Sequence, residues 1–240
     1  MSDTLRQLKE GVPTYQSNER IRKEVQESGK TFTPVVGPFG VGKTTIVTRV
    51  TELDPTIQPI STTTNRPRKH KTDPQNFRTA SEGITLDMLI DDIQQGNVLN
   101  YDVIVETGTI YATPPDGLTA QHNIGPFTAA SIDTFQKLHM KHFTPVYIVS
   151  PVALWSDFIR TSLGERHDLA ADRAPEAIAS AEFALEHLDV FDFVESRKGS
   201  IDAAARTIIA ITRGKPHTAL DKQTAQEMLK DMITYAKSLA

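Results

Sequence analysis

Short apolar runs alternate with amphipathic stretches along most of the chain, and this alternation predicts strands that are followed by helices. Apolar runs bounded by turn residues predict strands at residues 31–36, 57–61, 103–105, 146–149 and 191–194. Apolar positions at helical spacing predict helices at residues 44–53, 86–95, 130–139, 154–162 and 175–188. Such an alternation is typical of an α/β domain with a mainly parallel sheet.

Two further helices are predicted near the ends of the chain. Residues 18–28 place Ile21 and Val25 at helical spacing, so the two side chains could dock on a core, although a surface helix is the favoured interpretation. Residues 218–240 predict an added helix that could pack on the core or on a second copy of the chain, which leaves a homodimer open. One face of this helix carries Ala225, Met228, Leu229, Met232 and Ile233.

Composition narrows the class of protein. The chain has 240 residues, 26 basic and 30 acidic side chains and a net charge of -4, so it lacks the basic field that drives sequence-independent binding to nucleic acid. It contains no cysteine, which excludes disulfides, zinc-thiolate sites and thiol nucleophiles. The polar N-terminus and the lack of an apolar run of about 20 residues predict a cytoplasmic protein with no membrane partner.

A glycine-rich segment joins the first predicted strand to its helix and fits the pattern G-x-x-x-x-G-K-[ST]. Glycines let backbone N-H groups approach phosphate oxygens, and the helix N-terminus favours anions. Lys43 is expected to reach the β- and γ-phosphates, and the Thr44 hydroxyl to bind the Mg²⁺ that accompanies ATP. The alternative is a glycine-rich turn that fits by accident. The predicted ATP contacts are Gly37, Pro38, Phe39, Gly40, Val41, Gly42, Lys43, Thr44 and Thr45.

Read together with three later segments, this loop resembles the guanylate kinase family of nucleoside monophosphate kinases. Residues 37–45 are similar to the family's G-P-S-G-V-G-K-[ST]-T, and residues 61–68 to its S-x-T-T-R-x-x-R. Residues 108–114 are similar to G-N-x-Y-G-T-P, and residues 191–194 to F-D-Y-V.

This resemblance implies a domain organisation. It predicts a P-loop three-layer α/β fold with a mainly parallel five-stranded sheet over residues 31–215, an acceptor-binding subdomain at 61–114 and a lid at 158–175. Residues 1–30 would be an N-terminal helical extension, and residues 216–240 a C-terminal helix. Closure of the two flaps over the nucleotides would exclude water.

The resemblance also implies roles for individual residues. Ser61 and Arg68 would hold the phosphate of the acceptor, Tyr111 would hydrogen-bond to it, and Asp102 would stand where the family has an acid that reads guanine. The catalytic lid arginines would be Arg160 and Arg166. Without the resemblance, a solvated loop is the favoured interpretation of the densest basic cluster in the chain, which consists of Arg66, Arg68, Lys69, His70 and Lys71.

The chain departs from the family pattern mainly around the acceptor. Asn65 occupies the first arginine position and Arg66 follows it, so either Arg66 has moved into the role or one phosphate contact is lost. Residues 75–77 offer no clear counterpart of a family tyrosine, and residues 123–128 replace a stretch with two acids. Glu176 and Ala177 stand in place of a later lid arginine, for which Arg173 could substitute.

Three functions remain open at this point. The first is transfer of a phosphoryl group from ATP to a nucleoside monophosphate, with an acceptor that need not be GMP. The second is a nucleotide-binding or protein-interaction module without kinase activity, and the third is a kinase of another small phosphorylated acceptor.

Two other groups of residues have a plainer interpretation. His139 and His142 could bind a metal in principle, but a solvated helix end is favoured. Trp155 and Phe158 are interpreted as core or interface residues.

Overall fold

The computed structural model describes residues 2–68, 77–163, 168–196, 201–217 and 219–239. The predicted lid residue Arg166 lies outside them, as do Lys69, His70 and Lys71 of the basic cluster. The helices in these ranges are α1 (Ser2–Gly11), α2 (Glu19–Glu27), α3 (Lys43–Leu53), α4 (Leu86–Gln94), α5 (Ser131–Gln136), α6 (Val152–Leu163), α7 (Asp168–Glu186), α8 (Ile201–Thr212) and α9 (Lys222–Lys237). The strands are β1 (Thr31–Val36), β2 (Ile57–Pro59), β3 (Thr62–Thr64), β4 (Phe77–Arg78), β5 (Asn100–Ile104), β6 (Thr109–Thr113), β7 (His122–Pro126), β8 (His142–Phe143), β9 (Val146–Val149) and β10 (Asp192–Glu195).

The larger sheet is mainly parallel and has six strands, of which five follow the order β10-β9-β1-β7-β2 and β8 is the sixth. Val35 of β1 pairs in parallel with Val146 of β9, and β9 pairs in parallel with all four residues of β10. Every residue of β1 is buried, as expected for a central strand of a parallel sheet. The predicted α/β fold is therefore confirmed, with one short strand more than expected.

The contacts divide the chain into two compact units, and the first comprises residues 1–31, 58–123 and 130–143. It contains a four-stranded sheet of order β4-β3-β6-β5. One face of β5 and β6 packs with α1 and α4 in a core whose buried members are Leu5, Val12, Leu89, Ile93, Val98, Tyr101, Val103, Ile110 and Ala112.

Helix α2 also belongs to the first unit, and it is not a surface helix. Ile21 is 0% exposed and Val25 6%, so the favoured sequence interpretation is wrong. The Asn18 side chain caps α2 by accepting a hydrogen bond from the backbone N-H of Ile21 at 3.0 Å. The backbone N-H of Asn18 donates to Gly96 O at 2.9 Å, which ties the start of this helix to the chain that precedes β5.

The second unit comprises residues 32–57, 124–129 and 144–240 and contains α3 and α6 to α9. Helix α9 packs on α7 and α6 of the same chain. Of the two predicted alternatives, packing on the core is therefore the one that the structure shows. The buried residues of α9 are Ala225, Leu229, Met232, Ile233 and Ala236, and four of these five were on the predicted face.

Several predicted boundaries shift. Helix α7 begins at Asp168 rather than at Pro175, although a proline usually marks the first turn. Helix α5 ends at Gln136, and His139 has a left-handed backbone with φ 48°, so His139 and His142 do not share a helical face. Helix α8 and the strands β3, β4, β6, β7 and β8 were not predicted. No helix within the described residues is both long and apolar enough to cross a membrane.

Candidate functional site

The glycine-rich loop lies between β1 and α3, as its sequence pattern predicts. Gly37, Gly40 and Gly42 have φ angles of 145°, 77° and 87°, which other residues rarely adopt. A side chain at Gly37 would also bring its Cβ to 2.8 Å from the carbonyl oxygen of Ile148 on β9. The backbone therefore requires glycine here, and α3 begins immediately after the loop with its N-terminal N-H groups available to an anion.

Lys43 is the first residue of α3, and its side chain folds back over the loop. Its Nζ donates hydrogen bonds to Gly37 O and, at 2.9 Å, to Pro38 O. Burial lowers the pKa of Lys43 from its usual 10.5 to about 8; the charge of Glu176 partly offsets this shift and that of Arg173 adds to it. The lysine thus ties two loop carbonyls together with N-H donors that phosphate oxygens could also accept.

Thr44 and Thr45 are exposed on the first turn of α3, beside an open pocket of about 430 Å³. A bidentate ion pair forms part of the pocket wall: Arg49 Nε lies 2.7 Å from Asp202 Oδ1, and its Nη2 lies 3.0 Å from Oδ2. The hydrogen bonds to Asp202 are the main reason why the pKa of the Arg49 guanidinium is raised. The pocket is lined by Thr44, Thr45, Thr48, Arg49, Glu52, Ile201 and Asp202. Sequence reasoning missed Arg49 and Asp202, because no local pattern joins residues so far apart in the chain.

A cation from α7 lies against the same loop. The guanidinium carbon of Arg173 is 5.2 Å from the centroid of the Phe39 ring, within the range of a cation-π contact. Its Nη2 donates to Glu176 Oε2 at 2.6 Å, one turn along α7. Arg173, named above as a possible substitute for a lid arginine, is thus beside the loop, whereas the guanidinium of Arg160 pairs with Asp157 on its own helix at 2.7 Å and is largely exposed.

In the first unit, a polar row crosses one face of the four-stranded sheet. Tyr111 of β6 pairs directly with Asp102 of β5, and directly paired residues of antiparallel strands project to the same side. Arg66 Nε donates to the Tyr111 hydroxyl at 3.1 Å. The Arg66 guanidinium also lies 5.8 Å from the Tyr111 ring and 5.6 Å from that of Phe77. Arg66, Tyr111 and Asp102 thus form a continuous polar row on this face of the sheet.

The other predicted acceptor residues have partners within the same unit. Asn65 accepts from Ile110 N at 2.8 Å and donates to Gly108 O at 2.9 Å, so it joins the end of β3 to β6, and it is Arg66 that meets Tyr111. Arg68 donates to Phe77 O at 2.8 Å and lies 3.4 Å from Glu82. Ser61 is buried, and its backbone N-H donates to Gly117 O at 2.9 Å.

Asp102 has an unexpected partner. Lys9 Nζ, from α1, lies 2.6 Å from Asp102 Oδ1, the oxygen that also accepts from Val103 N at 2.8 Å. The side chains of Lys9 and Asp102 are 50% and 24% exposed. Sequence reasoning treated α1 only as part of an extension and could not have found this pair.

Among the described residues, no group of three His, Cys, Asp or Glu side chains could hold a metal ion. An ion that arrives with a nucleotide needs fewer protein ligands, because phosphate oxygens and water complete its shell. The exposed hydroxyl of Thr44 at the helix start fits that requirement.

Strand, glycine-rich loop and helix together define an α/β protein with a candidate phosphate-binding loop. No protein-family model matches the chain, and no curated protein does either. Among solved structures, a guanylate kinase from Anaplasma phagocytophilum is similar, with a TM-score of 0.49 and 14% sequence identity. The similarity covers 78% of this chain and 85% of the guanylate kinase chain. Any functional proposal for this chain therefore depends on its own residues and not on the similarity.

Proposed function

We propose that this protein transfers the terminal phosphoryl group of Mg²⁺-ATP to a small phosphorylated acceptor, in the first instance a nucleoside monophosphate. The proposal depends above all on the loop between β1 and α3, which has three glycines with positive φ angles and a lysine that donates to the carbonyls of Gly37 and Pro38. A backbone of this shape places N-H groups around an anion, which is the main requirement for holding a triphosphate.

Binding of ATP would exchange partners at Lys43. Its ammonium group would leave Gly37 O and Pro38 O for the β- and γ-phosphate oxygens, where its charge stabilises the leaving ADP as the bond to the γ-phosphorus breaks. The Thr44 hydroxyl would hold the Mg²⁺ that accompanies the nucleotide, and this ion would neutralise part of the phosphate charge. The pocket beside Thr44 and Thr45, with its Arg49-Asp202 wall, offers space for the nucleoside of the donor.

The acceptor supplies a phosphate oxygen that attacks the γ-phosphorus while the bond to ADP breaks. That oxygen is already ionised at neutral pH, so no general base is needed. Arg66 and Tyr111 offer a guanidinium and a hydroxyl to such a phosphate, with Ser61 and Arg68 as further predicted contacts. Arg173 lies beside the loop and joins Arg160 and Arg166 as candidates for stabilising the transferred group.

The acceptor base is the open part of this proposal. Asp102 is paired with Lys9, so the group that the base meets combines a carboxylate with an ammonium. Such a pair offers both a hydrogen-bond acceptor and donors, unlike the lone acid that guanine reading would use. GMP is therefore not favoured over other monophosphates.

A panel of nucleoside monophosphates with ATP and magnesium tests the proposal, with ADP release as the readout. At least one monophosphate should raise the rate of ADP release well above that of ATP alone. If none does, but calorimetry shows that a non-hydrolysable ATP analogue binds, transfer to a nucleoside monophosphate is contradicted, and a nucleotide-binding module or a kinase of another small phosphorylated acceptor replaces it. Lack of binding as well would contradict both.

A further inference from the structure

Trp155 of α6 lies under the phosphate-binding loop. Its side chain is 0% exposed, and its indole Nε1 donates a hydrogen bond of 2.8 Å to the carbonyl oxygen of Phe39. The next residue, Gly40, is so close that an added Cβ would lie 3.4 Å from Nε1. The indole thus contacts the loop at the two residues that precede Val41 and fixes the direction of one of its peptide groups.

The direction of that peptide group matters for the chemistry. A phosphate-binding loop works when its N-H groups point inward and its carbonyls point away. The carbonyl of Phe39 belongs to the same peptide unit as the N-H of Gly40, so a donor that holds the carbonyl also aims the N-H. The Phe39 ring also contacts Arg173, whose guanidinium carbon lies 5.2 Å from the ring centroid.

Trp155 is itself supported by the C-terminal helix. The ring of Tyr235 on α9 meets the indole edge-on, with the ring centroids 5.4 Å apart and an interplanar angle of 68°. Helix α9 is anchored by its buried side chains, and it packs on α6 as well as on α7. A continuous series of contacts therefore runs from Tyr235 through Trp155 to the backbone of Phe39.

We propose that Trp155 is a positioning residue for the phosphate-binding loop and that α9, through Tyr235, holds it in place, so that this added helix sets the affinity for the triphosphate. The inference deepens the proposed function, because it assumes that the loop binds a triphosphate. A role in packing alone would predict a general loss of stability, whereas positioning predicts a local effect on the loop.

Amide hydrogen exchange in the nucleotide-free protein tests the positioning without any need for activity. The variants are Trp155→Phe and Tyr235→Ala, with Tyr235→Phe as the control that keeps the ring. Thr212→Val is a second control, since it removes a buried hydrogen bond to Thr33 in the same unit, away from the indole. Exchange should accelerate at residues 39–42 in the first two variants and stay unchanged there in the controls.

Two results in that experiment would overturn the inference: loop exchange equal to that of the wild type in both Trp155→Phe and Tyr235→Ala, or acceleration spread evenly over the second unit. Should Trp155→Phe not fold, the comparison of Tyr235→Ala with Tyr235→Phe decides by itself. Failure of the wild type to bind ATP would contradict the proposed function, and the exchange result would still decide whether Trp155 positions the loop.

Trp155 is the single tryptophan of the chain, so its fluorescence reports directly on this contact. A non-hydrolysable ATP analogue should change the emission of the wild type and of Tyr235→Phe to the same extent. Tyr235→Ala should bind the analogue about tenfold more weakly, because part of the binding energy then goes into ordering the loop. Equal affinity in Tyr235→Ala and Tyr235→Phe would contradict the role given to α9.

Discussion

At the scale of single residues, Lys43 combines burial with hydrogen bonds to the glycine-rich loop. Its ammonium group is held by two loop carbonyls, and burial lowers its pKa to about 8, so a large fraction of Lys43 is neutral in mildly alkaline solution. The unfolded chain binds more protons than the native one between pH 8 and 10.5, so this residue makes stability rise with pH in that window.

Triphosphate binding should be coupled to proton uptake. Phosphate charge raises the pKa of Lys43, so at pH about 8.5 the bound form takes up a fraction of a proton and affinity falls as pH rises through this region. Calorimetry in buffers of different ionisation enthalpy measures the uptake.

Lys43→Ala should abolish both the uptake and phosphoryl transfer with the fold intact. Lys23→Ala, at a surface pair with Glu27, is the control. Wild-type turnover by Lys43→Ala would show that the site is misassigned.

Lys9 and Asp102 allow a second test at this scale. Lys9→Met should leave affinity for the ATP analogue unchanged and alter the ranking of monophosphate acceptors, because Asp102 then faces the base alone. The pair is partly exposed, so the free energy of unfolding should fall by no more than about 1 kcal/mol. Steady-state KM values for the panel give the ranking. An identical ranking in Lys9→Met and wild type would remove this pair from acceptor recognition.

At the scale of elements, Asn65 makes a structural contact. Its amide joins Gly108 O and Ile110 N, the residues on either side of the first residue of β6, and so fixes where β6 begins beside β3. A sequence pattern records only that an arginine is missing. The structure adds that the neighbouring Arg66 meets Tyr111.

Asn65→Ala should lower the free energy of unfolding by about 1 to 3 kcal/mol, because two backbone groups lose their partner. Asn65→Asp keeps the acceptor for Ile110 N but places a carboxylate against Gly108 O, so it should be no more stable than Asn65→Ala. Urea denaturation measures both changes. Wild-type stability of Asn65→Ala would mean that water replaces the amide without cost.

At the scale of the whole molecule, both predicted extensions belong to the packed chain. Helices α1 and α2 contribute Leu5 and Ile21 to the buried residues of the first unit, and α9 contributes Leu229 to those of the second. The resemblance to a family predicted a kinase domain with an added segment at each end. The compact units follow different boundaries, because each unit is built from segments that are distant in sequence. Whether two copies associate stays a prediction.

Leu229→Ala tests how far the second unit depends on α9. Leu229 is 0% exposed, so its truncation should cost about 2 to 5 kcal/mol and lower the melting temperature. Thr234→Ala, at an exposed position of the same helix, should change the melting temperature little. Thermal unfolding followed by circular dichroism compares the two. Equal melting temperatures would show that α9 is dispensable for folding.

The sequence alone determined the α/β class, the strand at 31–36, the strand at 146–149 and the glycine-rich loop, because all of these depend on local spacing and backbone preference. It favoured the wrong interpretation for α2, left the packing of α9 open, and missed α8 and the strands β3, β4, β6, β7 and β8. The sequence pattern identified the residues of the glycine-rich loop. Arg173 was named only as a possible substitute for a lid arginine.

Only the tertiary structure decided which distant residues meet: Trp155 with the loop and with Tyr235, Lys9 with Asp102, and Arg49 with Asp202. These contacts join residues from separate helices, strands and loops, and no local periodicity encodes them. The glycine-rich loop is a local structure because nine consecutive residues carry its geometry. The polar row of Arg66, Tyr111 and Asp102 and the support of the loop by Trp155 are not local, since they exist only after the chain has folded.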